Sequence, residues 1–324
     1  MIRALQAEII RKLWDAYLPS VSDYNKISSH AKKGFAINMD ALGVNNYNAT
    51  LDHMAIIDLT GPNCGISYLR KIFNILGLQE LGSGYLPNKH NSFIWMSDPQ
   101  NFAYAPNSAL PQVIVADFEQ DQMSRATQSI LNKYAAQADP LDLQALERSV
   151  LEIKQGDLSQ VPMVAKETIS HLHSRGWAIP TSIEYETVKE ENELAAWALI
   201  FGRRVNHFGI GVYTHPNVSS LAEFNQHLQN NLGVVMNAAG DGVIKGSKAS
   251  GIEQSSNLGH AIQVQFGDGK LGAVRGSFME FVWRHSGKTS PMVLKDYYTD
   301  FIAGNANGVI ESIYKDAKSE GFLQ

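Results

Sequence analysis

Two stretches of the chain, DHMAIIDLTGPN (52–63) and NHFGIGVYTHPN (206–217), decide the fold. They align when the sequence is shifted against itself by 154 residues, the separation of His53 and His207. Five aligned positions then carry the same residue: a histidine, an isoleucine, a threonine, a proline and an asparagine. Because a helical segment and short strand-like segments follow in both copies, the sequence predicts an internal duplication.

The predicted unit in each copy is a strand, a helix and then further strands. In the first copy the strand is at 51–59 and the helix at 66–78. The later strands of this copy are predicted near 80–86, 92–97 and 112–118. The later strands of the second copy are predicted at about 233–237, 251–257, 260–266 and 272–284. The turn GDGK (267–270) predicts a hairpin between the last two.

These elements predict an α+β protein in which two βαβββ modules pack side by side. An amphipathic helix precedes them, and a segment rich in Ala, Leu, Gln and Glu separates them as a helical insertion. The predicted divisions are an N-terminal helical segment (1–50), the first module (51–118), the helical insertion (119–200), the second module (201–286) and a C-terminal helical segment (287–324).

Composition narrows the class of protein. The 324 residues are 44% hydrophobic and 18% charged, as expected for a soluble globular chain. The net charge of −5 and the lack of a basic stripe argue against binding to nucleic acid. The single cysteine, Cys64, excludes an intrachain disulfide and a thiolate metal cluster, so a cytoplasmic location is expected. No signal peptide is predicted, and the longest apolar run (194–201) is too short to span a membrane.

His53 and His207 occupy the same place in the two copies. A lone histidine in an apolar strand is more often a core residue than a ligand, but the repetition favours a shared role. Side chains alternate along a strand, so His207 shares its face with Gly209 and Gly211, which leave room beside the ring. If the modules bring their first strands together, the two histidines converge on one point.

Glu280 is the candidate for a third ligand. It lies between Met279 and Phe281 in a strand-like segment, where a carboxylate is costly to bury unless it is paired or binds a metal. The alternative is that Glu280 faces solvent on an edge strand. Two histidines and one carboxylate form a facial triad for Fe(II), and they also occur in catalytic Zn(II) sites. The sequence therefore predicts a metal site and leaves Fe(II) and Zn(II) both open.

Four motifs resemble the signatures of the DUF1338 family. They are LDHMAI (51–56), VNHFGIGV (205–212), IEQSSNLG (252–259) and GSFMEFVWR (276–284). That family contains the 2-oxoadipate dioxygenase/decarboxylases, also called hydroxyglutarate synthases, and is related to the vicinal-oxygen-chelate proteins. The resemblance implies that the two modules form a β cup with a metal inside it.

The resemblance also implies a reaction and its ligands. Fe(II) would be held by His53, His207 and Glu280, the same three residues reached above. A small 2-oxo acid would chelate the iron through its carboxylate and keto oxygen, and dioxygen would occupy a remaining position. Loss of CO2 would be coupled to hydroxylation of the same molecule, which turns 2-oxoadipate into 2-hydroxyglutarate.

The chain departs from the family pattern at one substrate-binding position. In characterised members an arginine four residues after the first ligand holds the distal carboxylate of the substrate, whereas this chain has Ile57 there. Arg284, Arg275 and Lys245, in that order, are the candidates for a substitute cation. Gln254 matches the Gln-x-Ser/Thr pattern of the family and is expected to hydrogen-bond the substrate. The alternative for Gln254 is a strand glutamine that pairs with a neighbouring chain segment.

Two rival functions remain open at this point. The first is a metal-dependent hydrolase, lyase or isomerase of the glyoxalase-like type that uses Zn(II) or another divalent ion. The second is a binding protein whose pocket kept its metal and lost its chemistry. Uptake of dioxygen with a 2-oxo acid distinguishes the dioxygenase from both. The sequence predicts no oligomeric state.

Overall fold

An eight-stranded sheet, curled into a half-barrel, carries both repeats. The computed structural model describes residues 1–29, 50–240 and 242–313. The strands are β1 (Thr50–Ile57), β2 (Gln79–Leu86), β3 (Asn91–Ser97), β4 (Gln112–Phe118), β5 (Val205–Gly211), β6 (Lys245–Ser247), β7 (Ile252–Ser256), β8 (Ala261–Gln265), β9 (Leu271–Arg275) and β10 (Phe278–Arg284). The helices are α1 (Ile2–Tyr17), α2 (Asp23–Ser29), α3 (Ile66–Ile75), α4 (Arg125–Ala135), α5 (Leu143–Gln155), α6 (Val161–Leu172), α7 (Ser182–Glu191), α8 (Glu193–Phe201), α9 (Leu221–Leu232) and α10 (Ala303–Ile310).

The strand order shows the predicted duplication directly. The sheet runs β2-β3-β4-β1-β5-β10-β7-β6, and the first strands of the two copies, β1 and β5, pair antiparallel at its centre. Outward from the centre, each is followed by a parallel neighbour, β4 or β10, and then by antiparallel strands. The two halves are therefore related by a pseudo-twofold axis between β1 and β5, and the prediction of paired βαβββ modules is confirmed.

Two strand predictions in the second copy were wrong. Residues 233–237 form no strand, because Gly233 ends α9 in the left-handed conformation and the Val234 amide bonds back to Leu228. The first strand after the helix of the second module is instead β6, further along the chain. The predicted strand 272–284 divides into β9 and β10. The predicted hairpin is present as β8 and β9. It lies between β7 and β10 in the sequence, but it forms a separate two-stranded sheet.

The two faces of the half-barrel bury different residues because side chains alternate along each strand. On the convex face, Met54 and Phe208 belong to a core that includes buried residues of α1, α3, α5, α6 and α9. On the concave face, Ile57 and Phe93 belong to a second core with α8 and residues of α10. The histidine-bearing face of β1 is therefore the concave one.

The remaining segments surround this sheet. Helices α4 to α8 occupy the segment predicted as a helical insertion, and every residue of α8 after Glu193 is buried. The N-terminal segment contributes α1 and α2, and its residues 30–49 lie outside the described part. The C-terminal segment contributes α10, and its residues 314–324 also lie outside. Over the described residues, no helix is both long and apolar enough to cross a membrane.

Candidate metal centre

The structure brings His53, His207 and Glu280 together on the concave face, where each is buried. His53 and Glu280 are both register partners of Gly209 on β5, from opposite sides, and His207 is the partner of Ala55. Glu280 Oε2 lies 3.3 Å from His53 Nε2 and 3.3 Å from His207 Nε2. The three candidate ligand atoms all lie within 4.8 Å of one another. The pairing of the two halves therefore assembles a three-residue site.

Gly209 provides the space for this arrangement. A Cβ built on it would lie 2.9 Å from His53 Nε2 and closer still to two other atoms of the ring. The sequence indicated that small residues would leave room beside His207. The structure shows that the His53 imidazole, from the neighbouring strand, takes up the room at Gly209.

A polar residue precedes each histidine and holds its ring. The register between β1 and β5 shifts twice, once at Asp52 on β1 and once at Asn206 on β5. Each is an extra residue in its strand, as at a β-bulge. Asp52 Oδ1 lies 2.8 Å from His53 Nδ1, and Asn206 Oδ1 lies 2.8 Å from His207 Nδ1. Strict alternation would place Asp52 and Asn206 on the face opposite the histidines, and the bulges bring them to the rings instead.

These contacts fix how the rings present their nitrogens. An oxygen acceptor at Nδ1 favours the tautomer that carries hydrogen there, which leaves the Nε2 lone pair for a metal. Metal-binding histidines in proteins are almost always held in this way. The bulges therefore aim the Nε2 atoms of His53 and His207 toward Glu280.

Arg284 acts on Asp52. Its guanidinium donates two hydrogen bonds to the Asp52 carboxylate, at 2.6 and 2.8 Å, and others to the Tyr298 and Asp300 carbonyls. Both partners are buried, and although burial opposes ionisation, this pair holds the pKa of Asp52 below its usual range. Arg284 was the first candidate for a substrate-binding cation, but the structure places its guanidinium against Asp52, behind His53.

Gln254 lies beside the third ligand. Its amide donates to Glu280 Oε1 at 2.7 Å, and its Oε1 accepts from Asn305 Nδ2 at 3.0 Å. The second contact fixes which way the Gln254 amide points, so that Nε2 faces the carboxylate. Gln254 also lines the pocket described below, where its role toward a substrate stays a prediction.

The site holds charge unevenly. Burial opposes a charge on His53, but the Glu280 carboxylate and Asp52 outweigh it and raise the pKa of His53 to about 9. Burial lowers the pKa of His207 to about 4. Burial raises the pKa of Glu280, but the charge on His53 outweighs it, and the net shift is downward. A proton on His53 thus compensates the buried carboxylate in the protein alone, and binding of a metal would release it.

The donor set fits a divalent cation. Two imidazole nitrogens and a carboxylate oxygen are directed at one another, and lone pairs so placed need a proton or a cation among them. The other polar atoms of the three side chains, Nδ1 of each histidine and Oε1 of Glu280, hydrogen-bond to Asp52, Asn206 and Gln254. Three protein ligands also leave positions for substrate, as in catalytic sites.

The site opens into a pocket of about 520 Å³, including the part open to solvent, which is the size of a small-molecule site. Its walls beyond the ligands are mostly aliphatic or aromatic. Arg275 and Lys245, the other two candidate cations, do not line it. Arg275 donates to the Gly259 carbonyl, and Lys245 donates to the carbonyls of Asn237 and Gly242.

Some of the supporting residues had a signal in the sequence. Asp52 and Asn206 each stand directly before a histidine in an apolar strand, and this polar pair repeats with the duplication. Asn305 and Phe301, whose ring centroid lies 4.9 Å from that of His53, had no such signal. They reach the site because α10 and the segment before it fold back over the concave face.

The paired modules and the buried cluster of His53, His207 and Glu280 define a two-module α+β protein with a candidate site for a single metal ion. A family model described as 2-oxoadipate dioxygenase/decarboxylase matches residues 9–290. The chain belongs to this family, as its motifs had indicated.

Two plant proteins are similar in sequence. The chloroplastic 2-oxoadipate dioxygenase/decarboxylase of Arabidopsis thaliana is 28% identical over 288 residues, which are 85% of this chain and 71% of that protein. The chloroplastic/amyloplastic protein of the same name from Oryza sativa subsp. japonica is 25% identical over 277 residues, 82% of this chain and 69% of that one.

Solved structures share the fold. The hydroxyglutarate synthase of Oryza sativa, in complex with 2-oxoadipate, superposes with a TM-score of 0.74 at 21% identity and covers 97% of this chain and 93% of that chain. A Ralstonia eutropha JMP134 protein of the glyoxalase superfamily superposes with a TM-score of 0.70 at 17% identity, covering 92% and 87%. At these identities the comparison supports the architecture alone.

Proposed function

We propose that this protein is a non-haem Fe(II) dioxygenase that removes CO2 from a 2-oxo acid and hydroxylates the remainder. The observation that carries the proposal is the buried site of His53, His207 and Glu280 at the end of a small-molecule pocket, in a chain of this family. The rice relative was solved with 2-oxoadipate, and we extend the substrate class, a 2-oxo acid, to this chain.

The overall change balances without a further reductant. A substrate R–CH2–CO–COO⁻ and O2 become R–CH(OH)–COO⁻ and CO2. The bond between the first two carbons breaks, one oxygen atom enters the new carboxylate and the other enters the hydroxyl group. All the electrons that reduce dioxygen come from the substrate. The bound iron would supply the site at which the 2-oxo acid and dioxygen meet and oxygen is activated.

The protein residues would orient and shield this chemistry. His53, His207 and Glu280 would hold the iron, and their Asp52, Asn206 and Gln254 contacts would keep them in place. Phe301, which is buried against the His53 ring, excludes water from that side. Gln254 lines the pocket, and the second hydrogen of its amide nitrogen, which also donates to Glu280, would hydrogen-bond the substrate.

An oxygen-electrode assay of the Fe(II)-loaded protein with a panel of 2-oxo acids tests the proposal. We expect oxygen consumption that depends on both iron and a 2-oxo acid, with CO2 and a 2-hydroxy acid formed in equal amounts. His207→Ala is expected to lose the activity together with bound iron, whereas His260→Ala, at a half-exposed histidine away from the site, is expected to keep both.

Two results would contradict the proposal. One is a protein that, when loaded with iron, consumes no oxygen with any 2-oxo acid. The other is tight binding of Zn(II) together with hydrolase, lyase or isomerase activity that iron does not support. That second result would favour the glyoxalase-like alternative on the same three ligands.

A further inference from the structure

The wall of the pocket beyond the metal ligands is apolar. Ile57 follows His53 on the same face of β1, and Phe93 of β3 lies two strands away, across Ala116 of β4. Leu86 extends the wall, Leu194 enters from α8, and Ile310 enters from α10. The part of a substrate that points away from the metal would meet these side chains.

The wall has no cation among the residues that the structure describes. The Arg284 guanidinium, which lies near the site, is bound to Asp52 on the far side of His53. The two polar residues of the lining besides the ligands are Gln254, beside Glu280, and Asn91, whose amide donates to the Asp117 carbonyl. A carboxylate at the far end of a substrate would therefore lose water and gain no charged partner.

From this wall we infer that the natural substrate is a 2-oxo monocarboxylic acid with an uncharged alkyl or aryl side chain. The inference rests on the proposed function and names its substrate class. The acid and keto oxygens would lie at the metal end, and the apolar side chain would fill the space between Ile57, Phe93 and Leu194. Ile57 and its neighbours are then the specificity-determining residues, because they reject a second carboxylate.

A matched pair of acids tests this inference. 2-Oxohexanoate and 2-oxoadipate have the same six-carbon chain, and they differ in a terminal methyl group against a terminal carboxylate. With the Fe(II)-loaded wild-type protein, we expect kcat/KM to be at least about 100-fold higher for 2-oxohexanoate, since an apolar pocket rejects even an added hydroxyl by about that factor. Equal or better turnover of 2-oxoadipate would overturn the inference and leave the proposed function intact.

Binding without turnover separates the two claims. Each acid is titrated into the metal-loaded protein under anaerobic conditions, and calorimetry measures its affinity. Because no turnover occurs and both acids have the same 2-oxo acid group, the difference in affinity reports the effect of the wall. Tighter binding of 2-oxohexanoate with no oxygen consumption supports the inference about the wall and overturns the proposed reaction. Tighter binding of 2-oxoadipate overturns the inference whether or not oxygen is consumed.

A substitution tests the wall from the protein side. Ile57→Arg introduces a cation into the pocket, and we expect the preference for 2-oxohexanoate over 2-oxoadipate to fall at least about 10-fold. Ile183→Arg, the same change at a side chain that is 69% exposed, is the control and is expected to keep the wild-type preference. A folded Ile57→Arg protein with an unchanged preference would overturn the role of Ile57. If this variant does not fold, the matched pair on the wild-type protein still decides.

Discussion

Substitution of Gly209 by alanine is expected to displace His53, a proposed metal ligand, although it replaces none of the three ligand residues. The new methyl group would lie 2.9 Å from His53 Nε2 and closer to Cε1 and Nδ1, whereas carbon atoms in contact prefer about 3.5–4.0 Å. The ring would have to retreat by at least about 1 Å. It has little freedom to do so within its plane, because Asp52 holds Nδ1 and Phe301 packs against it.

A shift of this size exceeds what a metal site tolerates. Ligand distances in such sites hold to about 0.2 Å, and changes in the supporting residues alone lower metal affinity by about 10–100-fold. We therefore expect Gly209→Ala to bind metal at least about 100-fold more weakly, as measured by competition with a coloured chelator. Gly287→Ala is the control, because a Cβ there meets nothing within 4 Å and its φ is not positive. A folded Gly209→Ala protein with wild-type metal affinity would refute the account of this close approach.

Three further predictions follow from buried contacts. Asp52→Asn removes the charge opposite the buried Arg284 guanidinium and should cost about 3–5 kcal/mol of unfolding free energy in urea titrations; no loss would contradict the pairing. Gln254→Leu removes the donor to Glu280 Oε1 and should weaken metal binding about 10–100-fold in chelator competition, with unfolding free energy as the check on folding. Burial raises the pKa of Asp117 from 3.8 to about 6, so the stabilisation from its protonation is complete below pH 3.8 and is lost as pH rises through about 6. The unfolding free energy of Asp117→Asn should therefore rise relative to that of the wild type as the pH increases from about 4 to about 7.5, by up to about 3 kcal/mol. A difference between the two proteins that does not change with pH would exclude this titration.

The duplication could be predicted from sequence because it constrains many residues at once. The same order of elements occurs twice, and a period of two in the first strands indicates which side chains share a face. Those two facts led to the prediction that His53 and His207 converge if β1 and β5 meet, and the cost of burying an unpaired carboxylate added Glu280. The prediction of a strand at 233–237 was wrong because Gly233 caps α9 in the left-handed conformation. The apolar residues after the glycine give no sign of this cap.

The residues that orient the ligands were harder to predict because their positions depend on irregular or distant structure. Asp52 and Asn206 reach the histidines through β-bulges, and alternation fails at a bulge. Arg284 shares a face of β10 with Glu280, but which acceptor its guanidinium finds depends on the register between β1 and the second module. Asn305 reaches Gln254 only because the C-terminal segment folds back over the sheet.

The origin of the oxygen atoms in the product shows whether decarboxylation and hydroxylation are coupled. The Fe(II)-loaded protein is supplied with its preferred 2-oxo acid under ¹⁸O2, and the 2-hydroxy acid is analysed by mass spectrometry. We expect two labelled atoms in one product molecule, one in the hydroxyl group and one in the carboxylate, and the label should disappear with the bound metal in His53→Ala. A product without label, or with label in the carboxylate alone and no hydroxylation, would contradict a coupled decarboxylation and hydroxylation at the site of His53, His207 and Glu280.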